Sequence, residues 1–128
     1  MARKPHFEIR VQDEFSGAHH LRGYQGGCER THGHNWTVEV FVECSELNET
    51  GIGIDFYNVK DAVHSVLQEL DHNDLNTLPQ FQHKNPTCEN VAAYLYGELT
   101  HRLNIGKTRV TKVGVSETKN FGIFYREE

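Results

Sequence analysis

The sequence predicts an α+β domain, a four-stranded antiparallel sheet with two helices on one face in the order ββααββ. Three observations carry this. Apolar residues alternate in two early stretches, recur at three- and four-residue steps in two central stretches, and alternate again near the end.

The first strand is read from Phe7, Ile9 and Val11, and the second from Trp36, Val38, Val40 and Val42, the period-two pattern of half-buried strands. Together they suggest a long hairpin. Its connection, Leu21 to Thr31, carries Gly23, Gly26 and Gly27 and must be a mobile or specially shaped loop. The first helix is predicted from Phe56 to Leu70, with Phe56, Val59, Val63, Val66, Leu67 and Leu70 on one face. A second helix follows Thr87 as N-cap, with Glu89 in its first turn and Val91, Leu95, Leu99 and Leu103 facing inward, and ends near Asn104. The stretch "RVTKVGVSET" supplies a third strand, Asn120-Phe121-Gly122 a turn, and "IFYRE" a closing strand. On the second strand Glu39 and Glu43 point away from the helices but Phe41 shares their parity, so that face is expected to be part solvated and part association surface. Two open sheet edges predict pairing between copies.

With 128 residues the chain suits one domain, residues 1–128, and no linker or repeat divides it. A net charge of −5 with no Lys/Arg cluster argues against nucleic acid as a partner. No stretch approaches the ~20 apolar residues of a membrane span, and the N-terminus lacks a signal-like apolar run, so a cytoplasmic protein is expected. Three cysteines at unrelated spacings (Cys28, Cys44, Cys88) form no disulfide framework and predict free thiols.

The chemistry concentrates in "CERTHGHNW". His32 and His34 share the parity of Trp36 and Val38, which sends both imidazoles to the apolar face. His19 shares the parity of Phe7, Ile9, Val11 and Phe15 and reaches the same face if no bulge intervenes. Three histidines with an open fourth position are the ligand pattern of a catalytic zinc site. The competing reading is ordinary loop histidines in a chain that has nine, and this reading is kept for His6, His64, His83 and His101. His20 points the other way. A closed zinc site from Cys28, His32, His34 and Cys44 matches none of the usual spacings.

Cys28 precedes these histidines in the glycine-rich connection. A nearby cation would lower its pKa from about 8.5 and make it a base or nucleophile; alone it would be an inert loop thiol. Cys44 and Cys88 read as structural. Asp71-His72 at the end of the first helix is either a C-terminal cap or a general acid/base that Asp71 orients. Glu117 shares the parity of Val113 and Val115, so its carboxylate needs a cationic or multiply donating partner.

The blocks "FSGAHHL", "CERTHGHNW", "GIGIDFYNVK", "LDHNDLN", "NPTCENVA" and "VSETKNFGIFYR" resemble, in order and over nearly the whole chain, the 6-pyruvoyl- and 6-carboxy-tetrahydropterin synthase family. The resemblance implies the tunnelling fold, with sheets of several subunits joined into a barrel, typically a homohexamer with sites at subunit interfaces. It implies that His19, His32 and His34 hold Zn2+, that Cys28 accepts a proton, and that Asp71, His72 and Glu117 form the relay and pterin anchor, with Thr118 beside that anchor. The implied substrate is 7,8-dihydroneopterin triphosphate, with Arg22, Arg30 and Lys84 as candidates for its triphosphate.

The three-residue gap between Cys28 and His32 is similar to that of the carboxy branch of queuosine (7-deazaguanine) biosynthesis. Glu29 departs from this pattern, because some relatives with a glutamate near this position cleave the side chain for folate synthesis. The pyruvoyl reaction, folate-type cleavage and a non-catalytic zinc or pterin binder are the alternatives.

Overall fold

The computed structural model describes residues 2–23 and 30–128. Strands β1 (Phe7–His19) and β2 (His32–Cys44) are each 13 residues long and pair antiparallel along their whole length, from Phe7 opposite Cys44 to His19 opposite His32. No bulge interrupts that register. The alternation read from a few apolar residues therefore extends unbroken to the histidines.

Helix α1 (Phe56–Leu67) starts at Asp55, whose carboxylate accepts a hydrogen bond from the Tyr57 N–H and satisfies an otherwise unpaired helix donor. It ends at Leu67 rather than Leu70, and the chain runs on through turns to Asp71. His72 then adopts a left-handed φ of 59°. That reversal lays down a two-residue strand, β3 (Asn73–Asp74), parallel to β1 at Gly17 and Ala18. Short 3-10 turns at Leu75–Thr77 and Pro79–Phe81 lead to helix α2 (Cys88–Leu103), capped by the Thr87 hydroxyl accepting from the Asn90 N–H at 3.0 Å. Strands β4 (Arg109–Ser116) and β5 (Gly122–Tyr125) complete the sheet.

The sheet order is β3-β1-β2-β4-β5. The expected four-stranded antiparallel sheet is thus a five-stranded mixed one, because a two-residue parallel strand is too short to leave a period in the sequence. The β2–β4 register slips once, between Phe41 and Val42, and leaves Thr111 extra on β4.

One face of the sheet carries Phe15, Trp36, Val38, Val40, Val42, Val113 and Val115, all buried. Helix α1 covers it over β1 with Val59, Val63, Val66 and Leu67, and α2 over β4 and β5 with Val91, Ala92, Leu95 and Leu99. Full burial of each such side chain contributes roughly 1.5–3 kcal/mol. The opposite face is mostly polar. There Lys112 Nζ lies 4.5 Å from the centre of the Phe41 ring, which meets Phe124 edge-on. No described helix is long and apolar enough to cross a membrane.

Candidate metal centre and active site

The β1–β2 register decides the site. With His19 opposite His32 and Gly17 opposite His34, two adjacent strands deliver three imidazoles to the same end of the covered face. Ring centres lie 4.6 Å apart for His19–His32, 4.8 Å for His32–His34 and 5.6 Å for His19–His34. Trp36 packs edge-on against His19 at 4.7 Å and is pinned by its indole N–H donating to the Gly17 carbonyl at 3.1 Å. This gives the cluster a rigid floor.

The hydrogen bonds of the rings define their tautomers. His19 Nδ1 lies 2.7 Å from the Pro86 carbonyl oxygen, and His32 Nδ1 lies 2.7 Å from that of Arg30. A carbonyl oxygen only accepts, so each Nδ1 carries the proton and each Nε2 presents a lone pair. This is how metal-ligating histidines are oriented in general.

Nε2 of His19 and of His34 is buried without a hydrogen-bond partner. Burial holds the pKa of His19 below 6.5, against the opposing pull of its bond to Pro86, so the ring is neutral at neutral pH. A buried, bare nitrogen on each of two neighbouring rings fits a divalent cation. The donor set of imidazoles with one carboxylate suits zinc or a neighbouring transition metal.

Glu117 lies one residue beyond the last β2–β4 pair, Thr37–Ser116. Its Oε2 is 3.3 Å from His34 Nε2 and 3.8 Å from His19 Nε2, and all four side chains offer ligand atoms within 4.8 Å of one another. The same carboxylate opens onto a hollow of about 460 Å³ lined by Cys88, Glu89, Thr118, Asn120, Phe121 and Ile123. Glu117 therefore stands between the imidazoles and a space next to them.

Cys88, which reads from the sequence as structural, also belongs here. Its Sγ donates to Glu117 Oε1 at 3.4 Å, and burial followed by the Glu117 charge pushes its pKa up to about 12. Near neutral pH it stands as a thiol and donates to the carboxylate.

Asp71 and His72 form a second centre. Asp71 Oδ1 accepts the Ser16 N–H and Oδ2 lies 2.8 Å from His72 Nδ1. The Ser16 N–H, more than His72, holds the Asp71 carboxyl below the ordinary carboxylate range. The His72 side chain is 82% exposed and lines a hollow of about 520 Å³ with Ser16, Ala18, Gly33 and Asn35. Those four have the parity opposite to Phe15 and Trp36, so the hollow lies on the uncovered face, with His34 reaching its rim. The reading of the dipeptide as a helix cap does not survive, since α1 ends at Leu67, four residues before Asp71.

Of the three cations expected around a triphosphate, Arg22 reaches across to the loop that carries Lys84. Lys84 lines a hollow with His83, Asn90 and Tyr94 in which neither Arg22 nor Arg30 takes part. The Arg22 guanidinium donates to Asn85 and to backbone carbonyls. Cys28 and Glu29 lie outside the described residues.

The fold and this cluster define a class, an α+β protein whose β-hairpin gathers three histidines that, with Glu117, could hold a metal ion. Comparison with known proteins gives the family. Residues 8–128 match the model of the 6-pyruvoyl tetrahydropterin synthase family, and the chain belongs to it, as a pterin-acting enzyme of the lyase type. It is 32% identical to the 6-carboxy-5,6,7,8-tetrahydropterin synthase of Bacillus subtilis, over 94% of this chain and 85% of that one. It is 34% identical to the dihydroneopterin monophosphate aldolase of Pyrococcus furiosus, over 74% and 77% respectively. The structure of Caenorhabditis elegans 6-pyruvoyl tetrahydropterin synthase superposes with a TM-score of 0.86 at 27% identity, covering all of both chains.

Proposed function

We propose that the protein is a zinc-dependent lyase converting 7,8-dihydroneopterin triphosphate and one water to 6-carboxy-5,6,7,8-tetrahydropterin, acetaldehyde and triphosphate, a cytoplasmic step of queuosine biosynthesis. The observation that carries the reading is the convergence of bare Nε2 atoms from His19 and His34, with the His32 ring beside them, next to the Glu117 hollow. The carboxy branch is supported by the Cys28–His32 spacing and by the likeness to the Bacillus subtilis enzyme.

His19, His32 and His34 would hold the ion. When bound, it supplies Lewis acidity toward the substrate's side-chain oxygens and acidifies the neighbouring C–H. Cys28 takes that proton. Glu117 accepts paired N–H bonds from the amino-pyrimidine edge of the pterin, with Thr118 beside it and the Cys88 thiol steadying its other oxygen. Asp71 fixes the His72 ring so that its Nε2 can carry a proton to or from the substrate. The ring is reduced as the side chain is oxidised, so no outside reductant is required. Arg30 and Lys84 are left to meet the triphosphate.

In one chain the relay faces the uncovered side of the sheet and the metal histidines the covered side. That separation supports sites completed between copies, in a homohexamer whose sheet edges pair. The Pyrococcus relative and Glu29 favour a second reading, aldolase-type cleavage of the same side chain.

The product of zinc-loaded protein with dihydroneopterin triphosphate decides between them. Acetaldehyde with a 6-carboxy pterin is expected, and a hydroxymethyl or pyruvoyl pterin would overturn the carboxy assignment.

A further inference from the structure

We propose that Arg22 is a positioning residue for the metal centre, holding the loop whose Pro86 carbonyl orients the His19 ring. This rests on the metal-site reading above and removes Arg22 from the triphosphate candidates.

The His19 ring is oriented from outside the sheet, by a carbonyl in a stretch, residues 82–87, that has no helix or strand of its own. Something must hold that carbonyl still. Arg22, three residues past the end of β1, does so at several points. Its Nε donates to Asn85 Oδ1 at 3.1 Å, and its Nη2 donates to the carbonyls of Phe81 and Lys84, the latter at 2.8 Å.

The backbone joins in. Arg22 N–H donates to Asn85 Oδ1 at 3.0 Å, and Asn85 Nδ2 returns a bond to the Arg22 carbonyl at 2.9 Å. The Asn85 carbonyl then accepts from the Thr87 N–H and from Asn90 Nδ2, both at 2.9 Å, which ties the loop to the start of α2. Pro86 sits between these fastened neighbours.

A planar guanidinium can meet several acceptors at fixed angles at once, which an ammonium cannot, and bonds from a charged donor are the stronger kind. Without it the loop can shift, the Pro86 carbonyl leaves His19 Nδ1, and the ring is free to turn or change tautomer. Loss of such an outer contact to a ligating histidine typically costs about 10–100-fold in metal affinity.

The test measures metal binding by the full-length protein, without substrate. Zn2+ and Co2+ affinities are read by competition with a chromophoric chelator, together with the visible absorption of the Co2+ form. Arg22→Ala is expected to weaken Zn2+ binding about tenfold or more and to alter the Co2+ bands, with millimolar guanidinium restoring part of both. Arg22→Lys, which keeps the charge and guards against misfolding of the alanine variant, is expected to be weakened as well. His32→Ala marks the behaviour of a lost ligand.

Unchanged Zn2+ affinity and Co2+ spectrum in both Arg22 variants, with His32→Ala impaired, would overturn the role of Arg22 alone. So would an effect confined to binding of inorganic triphosphate. Failure of the unaltered protein to bind either metal would overturn the metal site and this role with it.

Discussion

At His72 a non-glycine residue takes a left-handed backbone, φ 59°, a conformation that costs of order 1 kcal/mol or more for a side chain with a Cβ. The position holds because the His72 N–H donates to the Ser16 carbonyl at 2.7 Å while Asp71 grips the ring. His72→Gly should therefore keep or raise the melting temperature, by up to about 1 kcal/mol of stability, while abolishing turnover. A variant that unfolds easily would show that the ring serves structure instead. Parity in the sequence marks Glu117 as a carboxylate in need of a partner, and the Cys88 thiol is the side chain that donates to it among the described residues. Cys88 itself carries no such mark, since a cysteine in the first turn of a helix reads the same whether it meets solvent, core or a carboxylate.

Among the elements, the hairpin was the most legible. Alternation over β1 and β2 is continuous, and in an unbulged antiparallel pair one correct register carries every residue to its face. The convergence of His19, His32 and His34 follows from that alone. Helix α2 was legible from its cap and its apolar spacing. Thr87→Ala removes the bond to the Asn90 N–H and should lower stability by about 1 kcal/mol, measured by denaturant unfolding. It should also weaken the metal centre, because Thr87 adjoins Pro86. Strand β3 and the early end of α1 were not legible. Leu70 continues the helical spacing and is buried, yet it is buried from a turn, since apolar spacing reports which residues go inside and not the conformation that takes them there.

For the whole molecule, two sheet edges are left unpaired among the described residues: the side of β1 from Phe7 to Phe15 continuing into β3, and the outer side of β5, where Phe121 and Phe124 are exposed. Such edges invite pairing. Sedimentation should give a mass several times the 14.7 kDa of one chain, and a monomer at micromolar concentration would contradict the proposed assembly. Acid should loosen the metal-free fold in two stages. His19 binds its proton less readily when folded than when unfolded, so the stability it lends is complete above pH 6.5 and drains away as pH falls from there toward its lowered pKa. Asp71, also lowered, keeps its contribution until the pH drops below 3.8. Melting temperatures from pH 8 to pH 3 test this, and His19→Gln should flatten the upper stage.

The amino-acid order by itself determined the layered class, the face on which each strand residue lies and the three imidazoles at one end of a hairpin, all of which follow from periods of 2 and 3.6 residues. The tertiary structure alone decided that Glu117, Cys88 and the Pro86 carbonyl arrive at those imidazoles, and that Asp71 and His72 face the other side of the sheet. Contacts between segments dozens of residues apart depend on how the layers pack and where the chain turns, and neither leaves a period along the chain.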